Sequence, residues 1–228
     1  MVASALCALF LFGPDNVLSP KEAQQGWKLL FDGQSTKGWH NFRGKGVNSG
    51  WVIENGELQC KDPHNAGDIL TDDKYDWFEL QLDWKMPAGQ NSGVMFHVLD
   101  SGGAPWFSGP EIQIMDTAVD PKGQLAGFLY ELYRSDKNAV KPIGEWNRFR
   151  IMIDPKKCFV EVNGVRYYDF VLGSPDFLER VAKSKFRAYP EFGKAGNGHI
   201  AIQGDHGLVS FKNIKIRPLK VKATKGSE

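Results

Sequence analysis

Two Asn-Gly pairs, Asn55-Gly56 and Asn163-Gly164, each divide two short runs rich in β-branched and aromatic residues. Asn and Gly tolerate the positive φ that a two-residue turn demands, so residues 51–54 with 57–60 are read as a β-hairpin. The second pair leads from 159–162 into 165–170 in the same way. From Trp77 to Met86, Phe78, Leu80, Leu82 and Trp84 alternate with Glu79, Gln81, Asp83 and Lys85. That is the period of a half-buried strand. Residues 94–99, 111–116, 148–154 and 199–203 follow the same rule. The run 209–216 breaks strict alternation around Lys212-Asn213, where a bulge would restore the register.

Only residues 175–183 carry a helical pattern. Ser174 can cap the first turn, Pro175 suits it, and Phe177, Leu178 and Val181 share a face. Many short strands without βα alternation imply an all-β fold, a two-sheet antiparallel jelly-roll sandwich with this one short helix. With no repeat, low-complexity linker or composition shift, residues 26–219 are expected to form a single domain, followed by a polar tail at 220–228. The apolar run over residues 1–12 has the length of a secretion-signal core but lacks a basic start. Residues 1–20 are read as a shortened signal segment, which places the protein in the periplasm or outside the cell. A segment packing on the domain is the alternative.

Charge and composition remove several classes of function. Lys and Arg total 28 against 27 Asp and Glu, and no basic stripe runs along the chain, so no nucleic-acid partner is expected. No apolar stretch reaches the roughly 18–20 residues of a membrane span. There is no phosphate-binding glycine loop and hence no expected nucleotide cofactor, and no nucleophile elbow. Three cysteines lie far apart without a CxxC pair, which excludes a zinc ribbon. A Cys60–Cys158 bridge stays open. Seven Trp, fifteen Phe and six Tyr permit stacking on a sugar ring, though aromatics also fill β cores.

The most informative segment is Gly109-Pro110-Glu111-Ile112-Gln113-Ile114-Met115-Asp116. Period two puts Glu111 and Gln113 on one face and Ile112 and Ile114 on the other. A bulge near Met115 would return Asp116 to the face of Glu111. Paired carboxyls on such a strand could serve a retaining glycosidase, although Gln113 occupies the middle position. On the preceding strand, core-facing Val94, Phe96 and Val98 would leave Met95 and His97 on the ligand side. Gln203-Gly204-Asp205-His206-Gly207 puts an amide, a carboxylate and an imidazole at a strand end; turn chemistry explains the glycines but not the histidine. His40 and His64 fall in loop-like stretches.

Taken together, several segments resemble one family. They are Gly26 to Gly33 with Gly38-Trp39, Asn91-Ser92-Gly93 with Phe96, Gly109 to Asp116, and Gly144-Glu145-Trp146-Asn147. Ser184-Lys185-Phe186, Pro190 to Gly193, Gly198 to Gln203 and Val209 to Ile216 complete the series. In order and spacing they are similar to the 3-keto-disaccharide hydrolase domain, also described as 3-keto-glucoside 1,2-lyase and 3-keto-2-hydroxy-glucal hydratase. The resemblance implies a concanavalin-A-like sandwich and an exported enzyme acting on a sugar substrate. Gly204-Asp205 departs from the family pattern, which leaves the register of Asp205 and His206 open.

A 3-keto sugar needs a base at carbon 2, an electrophile for the developing oxyanion and an acid at the leaving oxygen. The expectation is therefore base-assisted elimination followed by hydration. Glu111 and His206 are its ligand or base, supported by Asp116 and His97. Gln113, Gln203, Trp106, Asp205 and Tyr130 position the sugar. A divalent metal ion held by Glu111 and His206 could be the electrophile. A conventional retaining glycoside hydrolase and a non-catalytic carbohydrate-binding module remain the alternatives.

Overall fold

The computed structural model describes residues 14–116 and 125–220. The apolar run at residues 1–12 and nearly all of the polar tail lie outside them.

The strands that build the larger sheet are β1 (Lys28–Leu29), β3 (Trp51–Glu54), β4 (Glu57–Cys60), β6 (Phe78–Lys85), β9 (Asn147–Ile153), β10 (Cys158–Val162), β11 (Val165–Phe170) and β13 (Val209–Pro218). They run in the order β11-β10-β9-β6-β13-β4-β3, with β1 also on β13. The smaller sheet is made from β2 (Trp39–Asn41), β5 (Ile69–Thr71), β7 (Asn91–Val98), β8 (Glu111–Met115) and β12 (His199–Ile202), in the order β2-β5-β12-β7-β8. Every named pairing is antiparallel. The chain is thus an all-β sandwich of two antiparallel sheets.

Local chemistry accounts for the connections. Asn55 and Gly56, and Asn163 and Gly164, all take positive φ, as hairpin turns of the primed type require. The bulge in β13 occurs where the alternation breaks. The pairs Lys212↔Asp83 and Lys215↔Gln81 set three steps on β13 against two on β6, and Asn213 has a φ of 54°. Its side chain is held by Asp15 and Asp83 at 2.9 and 2.8 Å, so the bulge is a fastened corner. The helix α3 (Pro175–Lys183) is capped by the Ser174 hydroxyl, which accepts from the Phe177 N–H at 3.2 Å, and Phe177 is its buried anchor. Two shorter helices escaped the pattern, α1 (Pro20–Gln24) and α2 (Pro63–Ala66), because each spans about one turn and has no apolar period.

The boundary of the N-terminal segment needs correction. Asn16 is buried, its amide N–H donates to Asn213 Oδ1 at 2.6 Å, and its side chain donates to the Gly56 carbonyl at 2.8 Å. Asp15 pairs with Lys212. Asp15 and Asn16, inside the span expected as a signal segment, are therefore fastened to the folded domain at the β13 bulge. Cys60 and Cys158 are both free thiols, so the open bridge is not formed.

Phe78, Leu80, Leu82 and Trp84 of one sheet face Val94, Phe96, Ile112, Ile114, Ile200 and Ile202 of the other, making a single large core. On the opposite side of the smaller sheet, Leu70, Met95, Val98 and Ala201 form a separate small cluster, flanked by Phe42 and Trp106. That second face points away from the sandwich core and carries the candidate site.

Candidate functional site

Glu111, Met95, Ala201, Leu70 and His40 lie in one row across the five strands of the smaller sheet. One step along the strands, Gln113 stands opposite Gly93, and the Gln203 amide donates to the Gly93 carbonyl. Two small residues at the middle, Gly93 and Ala201, leave a depression in the face. Glu111 folds into it: a Cβ at position 93 would collide with its carboxyl group. Glycine is needed there for space, since its φ is not positive.

Three of the polar side chains around this depression are buried. Glu111 is 8 % exposed, Gln113 2 % and Gln203 4 %. The Gln113 side chain donates to Asn91 Oδ1 at 2.9 Å, which holds its amide beside Gly93. The Gln203 side-chain carbonyl is buried and has no hydrogen-bond partner among the described residues. An orphaned buried acceptor costs about 1–3 kcal/mol unless a water or ligand donates to it.

Two further elements close on the depression. Asp68, at the entrance to β5, accepts from the Gly204 N–H at 3.0 Å. This bond anchors the loop that follows β12 and lets the next two residues, Asp205 and His206, pair with each other through His206 Nδ1. Gly204 packs so tightly on Gly67 and Trp51 that no side chain fits there.

Charges are unevenly balanced here. Burial pushes the Glu111 carboxyl up to about 7, and the charges of His206, Asp68, Lys185 and Asp205 all act on it. Burial also raises Asp68, reinforced by the Asp205 charge and opposed by the Gly204 N–H. The bond to Asp205 lifts His206 above its ordinary value, and the same bond holds Asp205 below the usual carboxylate range. Among the described residues no Lys or Arg is in ion-pair contact with Glu111 or Asp68. Desolvation without a counter-ion is what separates these acids from ordinary surface carboxylates.

An aromatic rim borders the depression. The Tyr130 N–H donates to the Glu111 carbonyl at 2.9 Å, so the segment after residue 125 is laid along the outer edge of β8. The Lys185 ammonium lies 4.4 Å from the Tyr130 ring centroid and 5.2 Å from that of Trp106. Trp106 meets Phe107 and Tyr189 edge-on at 4.7 and 4.9 Å.

Glu111, Gln113, Gln203, Asp205, His206, Trp106 and Tyr130 are thus grouped at or beside one depression. Two expected residues are elsewhere. Asp116 does not return to the face of Glu111, because β7 and β8 pair without a shift as far as Met115. Its carboxylate accepts from the Gly89 N–H at 2.9 Å and borders a cavity of about 290 Å³ with Trp84, Met86 and Asn147. His97 points into the core rim. A bulge sets Phe96 and His97 against the single residue Ile200, so Val98 rather than His97 shares the face of Met95. The His97 ring meets Trp77, Phe78 and Phe96 edge-on, and its Nε2 lies 2.6 Å from the Asp76 carbonyl.

Asp68 and Lys185 were not found in the sequence. Asp68 follows Gly67 and reads as turn chemistry; Lys185 follows a helix C-cap. His40, read as a loop residue, lies on β2.

Glu111 and His206 are the expected ligands of a divalent metal ion. Among the described residues, no three His, Cys, Asp or Glu side chains are placed to hold one. The Asp205 carboxylate on His206 Nδ1 leaves Nε2 as the ring's other coordinating atom.

Residues 26–217 match the model of the 3-keto-alpha-glucoside-1,2-lyase-like domain. The chain belongs to that family. A 3-keto-disaccharide hydrolase from Bacteroides thetaiotaomicron is 27 % identical over 240 residues, covering 90 % of this chain and 82 % of that protein. The crystal structure of a candidate glycosyl hydrolase from Parabacteroides distasonis superposes with a TM-score of 0.82 at 31 % identity, over 91 % of this chain and all of that one. A non-specific endo-beta-1,3(4)-glucanase of glycoside hydrolase family 16 shares the fold, with a TM-score of 0.51 at 13 % identity, over 83 % of this chain and 91 % of that one. Membership of the 3-keto-alpha-glucoside-1,2-lyase-like family makes this a carbohydrate-active domain on a jelly-roll sandwich.

Proposed function

We propose that the depression over Gly93 cleaves the glycosidic bond of 3-keto-glucosides or 3-keto-disaccharides by elimination and hydration, with Glu111 as the base. The observation that carries this reading is the Glu111 carboxyl itself. It is buried, has no ion-pair partner among the described Lys and Arg residues, and is pushed up to about 7. A carboxylate with that affinity for protons suits removal of a hydrogen from carbon near neutral pH. The 3-ketone acidifies the hydrogen at carbon 2. Glu111 takes that proton, and the electron pair forms the enediolate across carbons 2 and 3.

The pair then expels the aglycone oxygen from carbon 1 as His206 delivers a proton to it. His206 suits the acid role because Asp205 keeps it protonated above its ordinary range. Positive charge on Lys185 and His206 favours the developing oxyanion. Water adds at carbon 1 of the unsaturated product, giving its proton back to His206, and Glu111 returns its proton to carbon 2, so the net change is hydrolysis. The Gln203 carbonyl would accept from a sugar hydroxyl, and Gln113 would hold the neighbouring one. Trp106 and Tyr130 would present ring faces to the sugar's C–H groups.

The family and the relative's name support hydrolysis of a 3-keto-disaccharide. The elimination route is our inference from Glu111. A conventional retaining mechanism would need a second carboxyl about 5 Å away to act as its partner, and Asp116, the expected one, lies off the face of Glu111. Export to the periplasm or medium is inferred from the apolar run at residues 1–12.

The deciding assay offers purified protein a 3-keto-glucoside and its unoxidised parent, each with and without EDTA, with ultraviolet detection of the unsaturated intermediate. Turnover of the keto compound alone is expected. Release of sugar from the unoxidised parent would replace elimination with conventional hydrolysis. Loss of turnover in EDTA would place a divalent ion beside Glu111 and His206.

A further inference from the structure

The open face of the smaller sheet carries a second polar constellation that the cleavage chemistry does not use. His199, on β12, lies four residues from Gln203, roughly 13 Å along an extended strand. It is 6 % exposed, and its Nδ1 is 2.6 Å from the Thr71 carbonyl. A carbonyl can only accept, so Nδ1 carries the hydrogen of that bond. Burial lowers the affinity of the ring for a second proton. The neutral ring therefore presents Nε2 as an acceptor, and no described residue donates to it.

Its neighbour is His40, whose ring meets His199 edge-on with centroids 5.6 Å apart. His40 Nδ1 is 2.6 Å from Asp72 Oδ1, and its Nε2 is 3.5 Å from Asp100 Oδ2. Asp100 is oriented by the Arg43 N–H, which donates to Oδ1 at 2.6 Å. The two histidines come from strands on either side of β5, and Leu70 and Ala201 lie between this group and the Gly93 depression. The intervening floor is apolar and is flanked by Phe42 and Trp106. Two polar groups joined by a flat apolar floor match a chain of sugar rings, which have hydroxyl edges and C–H faces.

We propose that His199, His40 and Asp100 form a second subsite on this face, which takes the hydroxyl groups of a ring beyond the one being cleaved. It rests on the assignment of 3-keto-glycoside cleavage to the Gly93 depression and narrows the substrate of that site. The preferred substrate is a glycan of two or more rings laid along β12, rather than a glucoside of a small alcohol. Hydroxyl hydrogens donate to His199 Nε2 and to the Asp100 carboxylate.

The test compares methyl 3-keto-glucoside with a 3-keto-disaccharide and a 3-keto-trisaccharide in the wild type, His199→Gln and Asp100→Asn. Asp100→Asn keeps an oxygen for the Arg43 N–H and guards against a folding defect in the His199 variant. In the wild type kcat/KM should rise with chain length. Each variant should lose that preference by about tenfold, through KM, as expected for the loss of one hydrogen bond to the substrate. A loss by the same factor on all three substrates, or no loss on any, would overturn the subsite. Calorimetry with unoxidised glucose trisaccharides of α and β linkage keeps the two readings separable. Should the wild type turn over no keto-sugar, the cleavage reading fails alone. Binding of a trisaccharide that both variants weaken would still support the subsite, and no binding to the wild type would refute it.

Discussion

On the outward face of the larger sheet, Glu79 lies between Arg150 and Arg217, and Asp83 is gripped by Arg148 through two bonds of 2.6 and 2.8 Å. On the outward face of the smaller sheet, Glu111 is also buried but lies against Gly93, with no described Lys or Arg in ion-pair contact. Burial pushes both glutamates toward the neutral form. At Glu79 the bonds from Arg150 and Arg217 outweigh it and hold the carboxyl below its ordinary range. At Glu111 nothing outweighs it, and the carboxyl rises to about 7. Counter-ions turn a buried acid into a fastener for three strands. Withholding them leaves an acid whose basicity is available for chemistry.

The largest expected effect separates the faces by activity. Glu111→Gln should lower kcat on a 3-keto-glucoside by roughly 10²–10⁴, while Glu79→Gln should leave kcat unchanged. Equal losses in the two variants would erase the functional difference between the faces.

Stability should invert that order. Glu79→Gln breaks a buried pair with two partly exposed arginines and should cost about 2 kcal/mol, or roughly 4–8 °C of melting temperature for a chain of this size. The contribution of Glu79 is present above the ordinary carboxylate pKa and is lost as pH falls through its lowered folded value. Glu111 has the opposite sign. Between its ordinary value near about 4.3 and the folded value of about 7, the native state binds the extra proton, so stability falls as pH rises. Glu111→Gln should therefore raise the melting temperature at pH 8 by a few degrees and leave it unchanged at pH 4. A variant that melts lower than wild type at pH 8 would mean that Glu111 has a partner after all.

The smallest effect concerns the sandwich as a whole. Cys60 and Cys158 are free, so adding a reductant should not move the melting temperature.

Much of the sandwich was legible in the sequence. The turns at Asn55-Gly56 and Asn163-Gly164, the strand from Phe78 to Lys85, the capped helix from Pro175 and the bulge at Asn213 are all local matters. Each depends on residues within a few positions of one another. Strands β2 and β5 were missed because each has only three residues, too few to show a period. Of the site, Glu111, Gln113 and Gln203 could be found by parity along their strands. His97 could not, because the bulge that turns it inward lies opposite Ile200, a hundred residues away in sequence. Asp116 failed for the complementary reason: a bulge was expected where the two strands pair evenly.

The sequence by itself determined the class of fold, most strand positions and which strand faces are polar, since periodicity and turn propensity act through neighbouring residues. Only the tertiary structure decided which polar groups share a site. It brought Asp68 under Gly204, set Lys185 beside Tyr130 and Trp106, and paired His40 with His199. It also decided that Glu79 meets arginines where Glu111 meets a glycine. A carboxylate's proton affinity depends on the charges and water within a few ångströms of it, and those neighbours come from strands distant in the chain.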